Sequence, residues 1–517
     1  MSAVTKTAKA KTAGPTLRII FSSLPVRDGI IAAAAGLALS LAFPRSGAAW
    51  LAPFGTAALF WTWRNASSRR AFALGWLGGV VFFSISFAWW THTIGGAVGP
   101  FWAGAAVFVS AAIEALAWGV AGVLAVAARE RAPAALAPIC IAAAFTVTEA
   151  LRSVGPLGVP FAQLGYSQAD TPLRVFAAYG GTYGVTFLLC ALGAYGADAL
   201  ARRTLRPLLV CVTAIAAAWF ACWLAWPARH AKPPTIPVAA VQGDITQTLK
   251  WQPGSLALAI RRYLAMTRAL APRDPRLVVW PETVIAVRGI GLNEDPALED
   301  RFGTLARRMG ATIVAGSIGT HDGGFYNSLF FFTAGRAAEE YDKRQLVPFA
   351  EDFPGARFLW WVPYVGSLNG GFSHGSVNGV YQTAAGLRVA PQICWESAFA
   401  DLVHAQVARG AQLLVISTDD AWFGTTSGPY QHAQIAQLRA IENGMWVVRA
   451  AATGISGIIA PDGHWTAQSA MNEQTSVIGA VGPPVGSLFA RIGPTPVVGA
   501  LALLYVLIVI PWRKRVA

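Results

Sequence analysis

The run Arg388-Val-Ala-Pro-Gln-Ile-Cys394-Trp395-Glu396-Ser397 climbs through β-branched and apolar residues to a single cysteine, with a carboxylate two residues beyond it. A strand that ends in a reactive side chain holds a nucleophile on rigid scaffolding. Cys394 is the only cysteine between residues 227 and 490, so it has no disulfide partner in that stretch. A lone thiol in such a setting is a candidate nucleophile. The other cysteines, Cys140, Cys190, Cys211 and Cys222, lie inside apolar segments and read as small buried hydrophobes.

Around this run the sequence alternates short β-rich stretches with helical ones. Strands are expected at 236–241, 277–280, 312–316, 327–333, 387–393, 412–417, 446–451 and 457–459, and helices at 256–270, 295–309, 398–409 and 430–443. Alternation of this kind predicts an α/β or layered mixed fold. Pro233, Pro234 and Pro237 break any helix entering from upstream. Residues 227–490 are therefore expected to form one domain, long enough to bury its own core.

The rest of the chain has a different character. Of 517 residues, 55% are hydrophobic and 13% charged, which with a positive mean hydropathy indicates an integral membrane protein. Apolar segments at about 29–43, 48–63, 71–90, 101–128, 134–151, 175–200, 207–226 and 494–512 predict eight transmembrane helices. Most approach the ~20 residues that cross hydrocarbon, although the first two are short. Seven would fill residues 28–226 and the eighth 491–517. The first alone has the look of a signal peptide, but the spans that follow favour an uncleaved helix.

The net charge of +14 would suit a nucleic-acid partner, but the excess lies in clusters beside apolar runs, so none is expected. The basic tail 1–27, Arg64/Arg69/Arg70, Arg129/Arg131, Arg202/Arg203/Arg206 and Arg513/Lys514/Arg515 fall on one side of an eight-span plan. Arg45, Arg152 and Arg174 fall on the other. Positive residues mark the cytoplasm, which turns 227–490 outward. Two acidic residues, Glu114 and Glu149, sit within spans and are functional candidates on that ground. Glu149 reads equally as an ion-pair partner of Arg152, and Glu114 has no evident partner.

Two further motifs resemble the run at Cys394. Val278-Val-Trp-Pro-Glu282 ends in a carboxylate; Tyr341-Asp-Lys343 leads through Arg-Gln-Leu-Val-Pro-Phe-Ala to Glu351. Taken singly, Glu282 reads as a helix cap and Lys343 as a solvated charge. Together with the thiol they are what a thiol acyl transferase requires. A carboxylate in a poorly hydrated pocket accepts the thiol proton, and an ammonium stabilises the oxyanion formed at the attacked carbonyl.

The order Glu–Lys–Cys in these flanks resembles the nitrilase (carbon–nitrogen hydrolase) superfamily, and within it the membrane-bound apolipoprotein N-acyltransferases of bacteria. The resemblance extends to Val241-Gln-Gly-Asp-Ile with Trp251, Tyr326-Asn-Ser, Asp420-Ala-Trp-Phe-Gly, Gly428-Pro-Tyr-Gln-His, Leu164-Gly-Tyr-Ser-Gln168 and Gly181-Thr-Tyr-Gly. It implies an αββα sandwich carried outside the cytoplasm on the eight-helix bundle of a bacterial inner membrane. It implies Glu282 as general base, Lys343 as oxyanion stabiliser and Cys394 as nucleophile, supported by Trp251, Glu351, Trp395 and Glu396. The donor it implies is a phospholipid, phosphatidylethanolamine by preference. The acceptor it implies is the free amine of a diacylated apolipoprotein, with no cofactor and a monomeric enzyme. Trp395 stands where a tyrosine is expected and Asp419 where an asparagine often is, which puts pocket shape and local charge in question.

Other features carry less. His432 reads as a structural hydrogen-bonder, and with no second ligand at metal spacing no metal is assigned. Trp360, Trp361 and Tyr364 read as a lipid-contacting lid, with a buried core as the near alternative. Rival readings of the whole are a membrane-tethered amidase or nitrilase, and a non-enzymatic lipid-binding protein that keeps the fold.

Overall fold

The computed structural model describes residues 26–155, 158–250, 252–285, 291–352 and 371–510. The apolar segments form helices α1 (Val26–Leu41), α2 (Leu51–Thr62), α3 (Ser68–Ser86), α4 (Trp90–Val98), α5 (Pro100–Arg131), α6 (Ala137–Leu151), α7 (Ala177–Arg202) and α8 (Arg206–Leu224). The later chain adds α9 (Gln247–Lys250), α10 (Ser255–Ala269), α11 (Pro296–Met309), α12 (Ala400–Val407), α13 (Gly428–Asn443), α14 (Leu488–Ile492) and α15 (Pro494–Val509).

Each of the eight expected apolar segments is helical, but length divides them. Among the described residues, three helical stretches are long and apolar enough to cross a membrane: Pro100–Arg131, Pro172–Arg202 and Arg206–His230. A fourth is the bent pair Ser68–Ser86 and Trp90–Gly96. With 16 residues, α1 rises about 24 Å, short of the ~30 Å of hydrocarbon, and α2, α6 and α15 are no longer. The segment expected at 71–90 bends by 62° where α3 gives way to α4. Tertiary packing turns the chain there: Trp89 meets Phe423 edge-on at 4.6 Å, and the Thr93 hydroxyl donates to the Trp422 carbonyl.

The bundle also answers the question of its acidic residues. Arg152 pairs with both Glu114, at 3.3 Å, and Glu149, at 3.5 Å, and all three are buried. Its guanidinium also donates to the carbonyls of Val159 and Phe161, while Glu149 accepts from the Leu164 N–H. This hub pins the loop after α6.

Downstream, two six-stranded sheets face each other. The first runs β12–β1–β2–β3–β4–β5, built from β1 (Ile236–Gln242), β2 (Leu277–Val279), β3 (Thr312–His321), β4 (Gly324–Thr333), β5 (Glu339–Asp342) and β12 (Thr475–Val481). The second runs β11–β10–β9–β8–β7–β6, built from β6 (Tyr381–Gln382), β7 (Arg388–Ile393), β8 (Leu413–Thr418), β9 (Trp446–Ala451), β10 (Gly457–Ile459) and β11 (Trp465–Gln468). Parallel pairing joins β1–β2–β3 and β7–β8–β9, and the flanking pairs are antiparallel.

Side-chain alternation along these strands generates the layers. Val238, Ala240, Val279 and Val314 point inward to meet Ile393, Val415 and Val448 of the other sheet. Their neighbours Ala239, Val241, Val278 and Ile313 point outward onto Tyr263, Leu264 and Phe302 of α10 and α11. On the opposite side Ala390, Leu414 and Val447 pack on Val403, Ala436 and Ala440 of α12 and α13. The result is an αββα sandwich. Pro391 is tolerated within β7 because, among the described residues, β6 pairs only as far as Val389.

Candidate active site

Glu282, Lys343 and Cys394 leave the ends of β2, β5 and β7, and the sandwich brings those ends together. Lys343 Nζ lies 3.0 Å from Glu282 Oε1 and 2.9 Å from Glu351 Oε1. The Asn327 amide donates to the same two carboxylate oxygens, at 2.7 and 2.8 Å. Glu282 Oε2 accepts the Asp419 backbone N–H at 2.9 Å, and Glu351 Oε2 accepts that of Val347. Cys394, 8% exposed, turns into this cluster beside the hydroxyl of Thr418 and in the fields of both Glu282 and Lys343.

The charges sort themselves by burial and neighbour. Burial opposes ionisation of Glu282, but Lys343 and the hydrogen bonds from Asn327 and Lys343 outweigh it and hold the carboxyl below its usual range. Burial likewise opposes the Lys343 ammonium, yet Glu282, Glu351 and Cys394 raise its pKa. Burial pushes the Cys394 thiol well up, and the Glu282 carboxylate adds to that against the pull of Lys343. The resting site is thus a carboxylate–ammonium pair facing a protonated thiol. Proton transfer from sulfur to Glu282 would convert it to a thiolate beside a cation.

The turn that carries Cys394 is held from several directions. The cysteine has φ +49°, a region costly for a residue with a Cβ. Glu396 locks it: its carboxylate accepts the N–H groups of Ile393 (2.8 Å), Arg344 (2.7 Å) and Gln345 (3.2 Å) and the hydroxyl of Tyr341 (3.0 Å). One side chain therefore ties the Cys394 turn to the segment that begins at Lys343. Behind the turn, the Cys394 carbonyl accepts from Ser397 Oγ at 2.8 Å and from His432 Nε2 at 3.1 Å. His432 is in turn anchored on Asp420, which also pairs with Arg449. It serves as the structural hydrogen-bonder expected from the sequence.

Trp395 stacks on Phe161 of the loop after α6, with ring centroids 5.0 Å apart and planes 14° from parallel. The residue that departs from expectation thus contacts the helical bundle. Trp251, Trp360, Trp361 and Tyr364 lie outside the described residues. Asn327, Thr418, Tyr341 and Lys250 were given no role from the sequence. Asn327 and Tyr341 left a signal there, inside the Tyr326-Asn-Ser and Tyr341-Asp-Lys343 motifs.

Comparison with known proteins follows the same division of the chain. The carbon–nitrogen hydrolase family matches residues 237–485, and the apolipoprotein N-acyltransferase N-terminal domain matches residues 35–195. The two-sheet domain is therefore of the carbon–nitrogen hydrolase class. An apolipoprotein N-acyltransferase of Methylococcus capsulatus is 33% identical over 92% of this chain and 94% of its own length. One of Pseudomonas putida is 32% identical over 88% and 90%. The chain belongs to the apolipoprotein N-acyltransferase family. Among solved structures, a CN-hydrolase superfamily protein of Xanthomonas campestris is similar at 21% identity and a TM-score of 0.37, covering 48% of this chain and 90% of that one. An amidase from Nesterenkonia sp. is similar at 18% identity and a TM-score of 0.37, covering 49% and 92%.

Proposed function

We propose that this chain moves an acyl group from a membrane phospholipid, through a thioester on Cys394, to the α-amino group of a diacylglyceryl-modified N-terminal cysteine. Glu282 takes the proton from Cys394 as sulfur bonds to the ester carbonyl. Lys343 bears the oxyanion. Collapse breaks the acyl C–O bond, the proton leaves on the lysophospholipid oxygen, and the thioester remains. In the second half the lipoprotein amine attacks the thioester, Glu282 removes its proton, and Cys394 recovers it as the amide forms. A thioester is reactive enough to acylate an amine without ATP, so the scheme needs no cofactor.

The observation that carries this reading is the cluster of Glu282, Lys343 and Cys394, buried together in a domain packed on long apolar helices. Both substrates have fatty chains, and exposing each methylene to water would cost about 0.8 kcal/mol. In this scheme Glu351 shares the lysine, Glu396 holds the turn, and Trp395 lines the route from the bundle. Phosphatidylethanolamine is the proposed donor, and the protein works as a monomer with eight spans and its catalytic domain in the periplasm.

Purified protein given labelled phosphatidylethanolamine alone should show an acyl adduct at Cys394 by mass spectrometry. Adding a diacylated lipopeptide should then yield triacylated product and clear the adduct. Turnover without an adduct in any time window would remove the covalent route.

A further inference from the structure

Beside Glu282, on the side away from Lys343, lies a second buried ion pair. Lys250 Nζ, at the end of α9, stands 2.7 Å from Asp419 Oδ2, and both side chains are buried. Gln247 Nε2 donates to the same oxygen at 2.7 Å. Lys250 Nζ also reaches Thr283 Oγ1 at 2.5 Å. The pair thus touches both flanks of the base: Thr283 follows Glu282 in the chain, and Asp419 donates its backbone N–H to Glu282 Oε2. Thr283 has φ +45°, so this segment is held in a conformation it would not keep unaided. A small cavity lined by Lys250, Asp419, Ile245, Leu256, Ala259 and Val284 adjoins the pair, and its mostly apolar wall strengthens the field of each charge.

We propose that Lys250 and Asp419 act as a positioning pair for Glu282, fixing the orientation of its carboxylate and balancing the charge next to it. This rests on the role proposed above for Glu282. Asp419 sets an acidic side chain beside the base. Lys250 supplies the compensating cation. Among the described residues, the charged or titratable groups facing Glu282 are Lys343 and Glu351 from the segment after β5, Cys394 after β7, Asp419 after β8 and Lys250 from α9. Tyr263 and Asp244 stand on the far side of the pair. Asp420 is taken up by Arg449 and His432.

The sign of the effect separates this role from a merely structural one. Asp419→Asn removes a like charge, so the acid limb of activity should move to lower pH. Lys250→Met leaves Asp419 uncompensated and should move the limb upward by about one pH unit. Lys250→Arg and the double variant Lys250→Met/Asp419→Asn should both return the limb close to that of the unaltered protein. The readout is the pH profile of Cys394 alkylation by iodoacetamide in the full-length protein in detergent, followed by peptide mass spectrometry, alongside the profile of acyl-enzyme formation.

Single variants that move the limb in the same direction, or that change rate with no movement, would overturn the proposal. Asp419→Asn is isosteric and keeps the backbone donor, so its direction decides the matter even where Lys250→Met does not fold. Alkylation needs no lipid. Opposed shifts there with no lipid acylation of the unaltered protein would uphold the pair and sink the acyl-transfer reading instead.

Discussion

Lys343 is 1% exposed and Glu282 5%, and each charge is tolerated because the other is within 3.0 Å. The arrangement is asymmetric, since Lys343 has two carboxylate partners. Replacing Glu282 by Gln leaves the ammonium paired with Glu351, so stability should change little while acyl-enzyme formation falls about 10²–10⁴-fold. Replacing Lys343 by Met strands two carboxylates around Asn327 and should cost about 3–5 kcal/mol. Thermal unfolding in detergent, run beside the acylation assay, separates the two: the first variant should be stable and slow, the second unstable and slow. Equal loss of stability in both would contradict the geometry. Neither the shared lysine nor the bridging Asn327 follows from spacing, because Glu282 and Lys343 are 61 residues apart.

At the scale of elements, the Cys394 turn is held by Glu396 more than by its own conformation. Four donors converge on that carboxylate, and an amide in its place would turn an NH₂ toward N–H groups. Glu396→Gln should lower stability by about 1–3 kcal/mol and raise hydrogen exchange at residues 393–398, leaving β8 and β9 protected. Unchanged exchange at the turn would show that His432 and Ser397 suffice to hold it. The principal strands and helices were readable because alternation and helical periodicity are local. Edge strands were not: β5, β6, β11 and β12 were missed. In β12 two residues of seven are buried, so its pattern blurs, and its place beside β1 is set by a partner more than two hundred residues away.

Across the whole molecule, α13 is the seam. Ala436 and Ala440 pack on the second sheet while Ile435, Leu438 and Ile441 join the core of the helical bundle. Polar side chains on it reach across: Gln431 donates to the Ser86 carbonyl, and Glu442 accepts the Thr182 N–H and hydroxyl, both at 2.7 Å. Gly181 has φ +62° and lies where a Cβ would meet the Phe489 ring. That break in α7 exposes the Thr182 N–H, and the Glu442 carboxylate caps it. Through Phe161 and Trp395, the Arg152 hub reaches the Cys394 turn. Arg152→Met should leave Glu114 and Glu149 buried without their cation, cost about 3–5 kcal/mol, and loosen residues 394–399 although it touches none of them. Exchange at that turn measures the coupling; an unstable variant with an undisturbed turn would disprove it.

The amino-acid sequence by itself determined the apolar helices, the strand-and-helix alternation and the motifs that carry Glu282, Lys343 and Cys394, since each is written in composition, period or a short motif. Tertiary structure alone decided which charges meet. Arg152 serves Glu114 as well as Glu149, Lys250 answers Asp419, and Phe161 backs Trp395. It also showed which helices among the described residues are long enough to cross a membrane. The physical reason is that periodicity acts between neighbours in the chain, whereas a buried charge is stabilised by whatever the closed sandwich and the packed bundle bring within about 3 Å of it.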